Sequence, residues 1–302
     1  MQQPLWGIDL GGTKIEGVIL PSLNDPKPIL RTRVDTEAQK GYEHIIGQIQ
    51  KLVEKMQEGS GLQAHHIGMG TPGVLDPGSQ TMKNCNTTAL NGRPLKKDIE
   101  AALKFPFTLA NDANCFALAE THWGVVKEQG INAGLVFGII MGTGVGGGIV
   151  TGGKVWNGKH GIAGEWGHNT LIENGEPCYC GKKGCVETVI SGPATERFYT
   201  SITGKAASLK EIVSLEAAGD AAAKETIGRL CHYFGKAVSV ITNLLDPDVI
   251  VVGGGVGNIA ALYTDGLTAL QQFIFNPTVD VPILKPGLGD SAGVFGAAAL
   301  TA

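Results

Sequence analysis

Charge is scarce and evenly spread in this 302-residue chain. Lys and Arg number 24 against 28 Asp and Glu, a net of −4, and no five like charges follow one another. That excludes a basic track for nucleic acid and a cationic face for an anionic membrane. Apolar residues never run on for the ~20 positions a bilayer crossing needs. Met1–Pro4 passes straight into an apolar strand pattern with no leader. Cysteine is sparse too. Of the six, Cys85, Cys115 and Cys231 are isolated and the others share one short segment, so a reducing cytoplasm is expected and a disulfide framework is not. Glycine is in excess: 45 residues, about twice the usual share. The glycines cluster after apolar stretches, where backbone can approach a ligand.

The densest chemistry lies between Ala163 and Gly192, which holds Glu165, His168, Cys178, Cys180, Cys185 and Glu187. Three thiolates and one imidazole complete a Cys₃His shell, the closed set of a structural zinc ion. No ligand position remains for a reactive water, so the metal reads as a clip. Buried free thiols are the alternative, but the surrounding glycines and the Lys182-Lys183 pair make a poor core segment. The clip would fix Glu165 and Glu187, two carboxylates suited to gripping hydroxyls of a small polar ligand.

Strand, glycine turn, strand is a recurring pattern. Leu5–Leu10, then Gly11-Gly12-Thr13-Lys14, then Ile15–Leu20 is the first instance. The second is Gly134–Met141, a turn over Gly142-Thr143-Gly144-Val145-Gly146-Gly147-Gly148, and a return over Ile149–Trp156. A third turn, Gly253-Gly254-Gly255, follows Val249–Val252. The recurrence suggests a weak internal duplication. Tyr42–Gln57 has helical apolar spacing, Asp220 caps a helix to about Leu245, and Ser208–Glu211 is a capping box. Alternating strands and helices argue for two α/β domains. The chain is expected to cross from one to the other soon after Asp112. That gives a small domain, 1–112 plus about 290–302 (the closing Ala292–Ala302 helix), and a large domain, 113–289, carrying the metal loop.

Asp9 before Gly11-Gly12-Thr13-Lys14 offers a carboxylate for hydrated Mg²⁺ and backbone N–H groups for phosphate oxygens. The spacing is neither a Walker A loop nor a dinucleotide fingerprint. One such turn alone reads as an ordinary hairpin; the second, at 142–148, suggests two cradles clamping one nucleotide, with Gly253–Gly255 under its adenine and ribose. Gly70-Thr71-Pro72-Gly73 reads as a turn by composition. Asp112, in Ala110-Asn111-Asp112-Ala113-Asn114, stands between a short strand and a helix. It could take the proton of an attacking hydroxyl, but an N-cap is the commoner role of Asp there, and the residues alone favour the cap.

Asp9-Leu-Gly-Gly-Thr-Lys14, Asn111-Asp112-Ala-Asn114, Glu165-Trp-Gly-His168 and Cys178-x-Cys180-Gly-x-x-Gly-Cys185-x-Glu187 follow one another in order and spacing. Together they resemble the ROK (repressor, open reading frame, kinase) family of sugar kinases over nearly the whole chain. The resemblance implies an actin/hexokinase-like (ribonuclease H-like) α/β fold of two domains, with an interdomain cleft closing over ATP-Mg²⁺ and a hexose. It implies Asp112 as general base and Asn86, Asn111, Glu165, His168 and Glu187 as sugar ligands, His168 with one ring nitrogen on zinc and the other toward the sugar. Asp9, Gly11, Gly12, Thr13 and Lys14 would take ATP and magnesium, as would Gly142, Thr143, Gly144, Gly146, Gly147 and Gly253–Gly255. It also implies a homodimer.

Three windows, Asn84–Gly92, Glu165–Asn169 and Pro177–Lys182, resemble the bacterial manno-fructokinase branch. Fructose is therefore the expected acceptor, phosphorylated at its 6-hydroxyl, with an N-acetylglucosamine or glucose kinase as the alternative. A sugar-sensing repressor of the same family is disfavoured, since only ten residues precede Gly11 and leave no helix-turn-helix. A noncatalytic sugar-binding module would have no use for Asp9, Asp112 and two phosphate cradles, and a stand-alone zinc ribbon would be far smaller.

Overall fold

The computed structural model describes residues 3–302, so Met1 and Gln2, where the leaderless start was read, lie outside the described residues. Contacts divide the chain into two compact units. One runs to Asn132 and adds Gly148–Ala163 and Gly287–Ala302; the other is Ala133–Gly147 with Gly164–Pro286.

The first sheet has β1 (Leu5–Leu10), β2 (Lys14–Leu20), β3 (Leu30–Asp35), β4 (Ile67–Thr71) and β5 (Phe107–Asn111) in the order β3-β2-β1-β4-β5. β1, β2 and β3 pair antiparallel, whereas β1, β4 and β5 run parallel. Register sets Asp9 beside Gly70 and Gly70 beside Ala110, so the carboxyl ends of the parallel strands gather Asp9, Thr71 and Asn111. Ligands of open α/β sheets collect at such an edge. The helix Tyr42–Ser60 buries Ile45, Ile49, Leu52, Val53 and Met56 against this sheet, as its 3.6-residue spacing predicts.

The helix Ala292–Ala299 belongs to the first unit. A Cβ on Gly296 would stand 1.7 Å from the Cys115 carbonyl oxygen, and one on Gly68 1.8 Å from that of Ala297. Backbone-to-backbone approach thus fastens this helix to β4 and to the helix Asp112–His122. The expected crossing soon after Asp112 therefore falls inside the first unit, which keeps the chain as far as Asn132.

The second sheet repeats the plan. Its strands are β6 (Leu135–Met141), β7 (Val145–Thr151), β8 (Lys154–Val155), β9 (Val249–Gly253) and β10 (Ile283–Leu284), in the order β8-β7-β6-β9-β10. β6, β9 and β10 run parallel. The duplication read weakly from glycines is thus a repeat of strand order.

The second glycine turn is shorter than expected. β7 begins at Val145, so Gly146, Gly147 and Gly148 are strand residues. A Cβ on Gly147 would sit 2.5 Å from the Trp166 ring, and one on Gly148 2.3 Å from the Ala113 carbonyl oxygen. These glycines admit close neighbours and do not bend the chain; the turn itself is Gly142-Thr143-Gly144. In the second unit the helix Ala221–Leu245 is capped by Asp220, whose carboxylate accepts from the Ala223 N–H at 2.8 Å. Ser208 and Glu211 close the expected capping box on Leu209–Ala217. Among the described residues no helix is long and apolar enough to cross a membrane.

Candidate active site

Each unit presents a group of the sequence-selected residues. In the first, Asp9 ends near the carboxyl edge of β1, and its carboxylate lies against Gly70 and Gly293. Burial pushes this carboxyl up to about 6; the negative charges of Asp112 and Glu16 add to the shift, and Lys14 opposes them. An acid held half-protonated near pH 6 by desolvation and neighbouring carboxylates would be relieved by a divalent cation. The residues therefore suit Mg²⁺. The adjoining turn closes on itself. The Gly11 N–H donates to the Lys14 carbonyl at 3.0 Å and the Thr36 hydroxyl to the Gly11 carbonyl at 2.6 Å, leaving Gly12 and Thr13 exposed. Asn86 is also exposed, in a loop whose N–H donates to the Pro72 carbonyl.

The helix that starts at Asp112 separates two roles that one residue could have held. Its N-cap is Asn111, whose Oδ1 accepts from the Asn114 N–H at 2.8 Å. Asp112 is the first helical residue, solvent-accessible, with Oδ1 accepting from the Ala113 N–H at 2.8 Å. The commoner role of Asp at such a junction thus belongs to its neighbour. Although it reaches solvent, the protein packed around it desolvates the Asp112 carboxyl and shifts it upward, while its bonds to backbone N–H groups pull the other way. Asn114, which the sequence reading passed over, is buried, and its Oδ1 accepts from the Ile149 N–H at 3.1 Å. It sits in the Asn-Asp-Ala-Asn motif, the signal that could have found it.

In the second unit the four candidate ligands converge. Nδ1 of His168 and the Sγ atoms of Cys178, Cys180 and Cys185 all lie within 4.8 Å of one another. Cys178 Sγ is 3.5 Å from His168 Nδ1, and Cys180 Sγ is 3.6 Å from Cys185 Sγ. A tetrahedral ion with Zn–S near 2.3 Å and Zn–N near 2.0–2.1 Å separates its ligands by about 3.8 Å (S to S) and about 3.5 Å (S to N). The donor set fits a metal of this kind. With a metal on Nδ1 the ring proton sits on Nε2, which lies 3.0 Å from the Tyr179 hydroxyl and 4.0 Å from Glu165 Oε2. The second ring nitrogen, expected to point at sugar, thus faces Tyr179 here. Tyr179 was missed although it stands between two ligands.

Glu187 has a backbone partner that the sequence did not reveal. Its Oε2 accepts from the Val145 N–H at 3.0 Å, at the end of the Gly142–Gly144 turn. The Gly142 N–H donates to the Gly144 carbonyl at 2.9 Å. Gly254, at the carboxyl end of β9, has φ +83 and lies against the Met141 backbone, while Gly255 is exposed with open space where a Cβ would stand.

Two sheets of one strand order, each with a glycine turn after a strand and functional groups at the carboxyl edge of its parallel strands, define the actin-like ATPase fold. Solved structures with the same fold include a ROK hexokinase from Thermus thermophilus, with a TM-score of 0.87 at 32% identity, covering 99% of this chain and 98% of that one. A ROK family glucokinase from Streptomyces griseus, solved with glucose and AMPPNP, gives 0.77 at 28% identity over 99% of each chain. An N-acetyl-D-glucosamine kinase of Vibrio parahaemolyticus is 33% identical over 305 residues, 98% of each chain. The ROK family model matches residues 5–302. The chain belongs to the ROK family. It is an ATP-dependent sugar kinase, a phosphotransferase whose ATP chemistry implies Mg²⁺.

Proposed function

We propose that the chain transfers the γ-phosphoryl group of ATP to the 6-hydroxyl of N-acetyl-D-glucosamine, with Asp112 as general base. The acceptor rests on the full-length likeness to N-acetyl-D-glucosamine kinases at 33–36% identity. The fructose expectation rested on three short windows and has no support in those relatives. The role of Asp112 rests on one observation: Asn111 makes the helix cap, so the neighbouring carboxylate is spared for a substrate proton.

Asp9 and the Gly11–Lys14 turn are proposed to hold Mg²⁺ and phosphate oxygens, and Gly142–Gly144 and Gly254–Gly255 are proposed to meet nucleotide. Asn86, Asn111, Glu165, His168 and Glu187 are proposed to bind sugar hydroxyls, His168 by exchanging the Tyr179 hydroxyl at Nε2 for one of the sugar's. His168, Cys178, Cys180 and Cys185 are proposed to hold zinc in a closed shell, where the ion supplies fixed geometry and no reaction step. The likeness to a hexokinase and a glucokinase favours glucose as the second reading. A coupled ADP-release assay across N-acetylglucosamine, N-acetylmannosamine, glucose, mannose and fructose decides. The proposal expects kcat/KM for N-acetylglucosamine at least tenfold above that for fructose, and the reverse order restores the fructose reading.

A further inference from the structure

The two ends of the metal loop touch the second glycine turn and the strand that leaves it. Two residues before His168, the Trp166 indole N–H donates to the Gly146 carbonyl at 3.1 Å, and its ring closes on Gly147. Two residues after Cys185, Glu187 Oε2 takes the Val145 N–H at 3.0 Å. That same oxygen lies 2.5 Å from where a Cβ on Gly144 would stand. A glycine at 144 is therefore what lets the carboxylate reach the turn. Just beyond, the Gly192 N–H donates to the Gly142 carbonyl at 2.8 Å. A charge-assisted bond to a backbone N–H is among the stronger local restraints, and here it joins a side chain anchored by the metal loop to a turn of small residues with little stiffness of its own.

We infer that Glu187 is a positioning residue for the nucleotide turn Gly142–Val145, through which the metal loop sets phosphate binding as well as the sugar side. The inference rests on reading that turn as a phosphate cradle. Oε2 of Glu187 is engaged by the backbone of the turn, alongside the sugar role that resemblance gives this residue. The turn's N–H groups bind phosphate only if their orientation is held before the ligand arrives, since ordering a loop on binding costs affinity.

Gly144→Ala is the telling variant, because its new methyl meets only the flexible Glu187 carboxylate and pushes it off the Val145 N–H without deleting it. Titration of a non-hydrolysable ATP analogue with Mg²⁺, in the absence of sugar, compares wild type, Glu187→Ala, Glu187→Gln, Gly144→Ala and the Glu187→Ala/Gly144→Ala double variant. Metal content and Tm are checked for each. Glu187→Ala and Gly144→Ala should each weaken the analogue about tenfold. The double variant should be no worse than about twofold beyond either, because both break one contact. Glu187→Gln, whose amide oxygen still accepts, should stay within about threefold of wild type. KM for ATP should follow the same order. Wild-type analogue affinity in Glu187→Ala, or fully additive losses in the double variant, overturns the inference. Wild-type protein that binds no analogue at all overturns the nucleotide reading itself, and the inference with it.

Discussion

The two glycine turns follow strands in sheets of identical order, yet they are held in different ways. Gly11–Lys14 is closed by its own hairpin and by Thr36 from the edge of the same sheet. Gly142–Gly144 has one short backbone bond of its own and leans besides on Glu187 of the metal loop and on the Gly192 N–H, while Trp166 holds the strand that follows it. A turn stitched by its own sheet carries its shape wherever that sheet folds. A turn braced from outside takes its shape from whatever fixes the brace, here a cluster of thiols and an imidazole. The acids are likewise divided. Asp9 and Asp112 sense each other's charge beside the self-supporting turn, whereas Glu165 and Glu187 belong to the braced unit.

The sharpest way to break this comparison is to remove chemistry from one unit and scaffolding from the other. Asp112→Asn should lower kcat by about 10²–10⁴ while sugar and ATP-analogue affinities hold, because the change leaves both turns intact. Near wild-type turnover would return Asp112 to a structural role. Cys180→Ala should abolish metal binding and raise KM for sugar and for ATP by about 10- to 100-fold, the scale on which loss of metal-site support is felt. Elemental analysis should show one zinc per wild-type chain and none in the variant. An intact sugar KM in metal-free protein would uncouple the clip from the site.

A smaller effect concerns stability. The Asp9 carboxyl is raised to about 6, so the native chain binds its proton more tightly than the unfolded chain does. The stability this gives is fully present below the ordinary carboxylate range near 3.8 and is lost as pH rises through about 6. Asp9→Asn should therefore raise the stability of the ligand-free protein at pH 7 by on the order of 1 kcal/mol, and change it little at pH 4. Denaturant titrations at the two pH values measure the difference, and a stabilisation independent of pH would assign the effect to packing.

Local signals were the most legible in the sequence. Apolar spacing gave Tyr42–Gln57 of the helix that runs to Ser60, and the caps at Ser208 and Asp220 were visible because capping involves residues within one turn. The ligand cluster was legible because four donors of the right type lie within 18 residues. What escaped depended on partners remote in the chain. Glycines at 147 and 148 look in sequence like turn residues, and only Trp166 and Ala113 reveal that they make room. The crossing near Asp112 was misplaced because Cys115 is held by a helix starting at Ala292. The bond of Glu187 to a backbone N–H at 145 escaped as well, because a carboxylate beside a metal motif offers no hint of it.

Hydrogen exchange with and without a tight zinc chelator tests the comparison most directly. Metal removal should speed exchange of the Val145 N–H and its neighbours in Gly142–Gly147 by about tenfold or more, while the Gly11 N–H, bonded to Lys14, exchanges as before. Equal acceleration in both turns, or none in either, would contradict the claim that one glycine turn is set by its own sheet and the other by the metal loop.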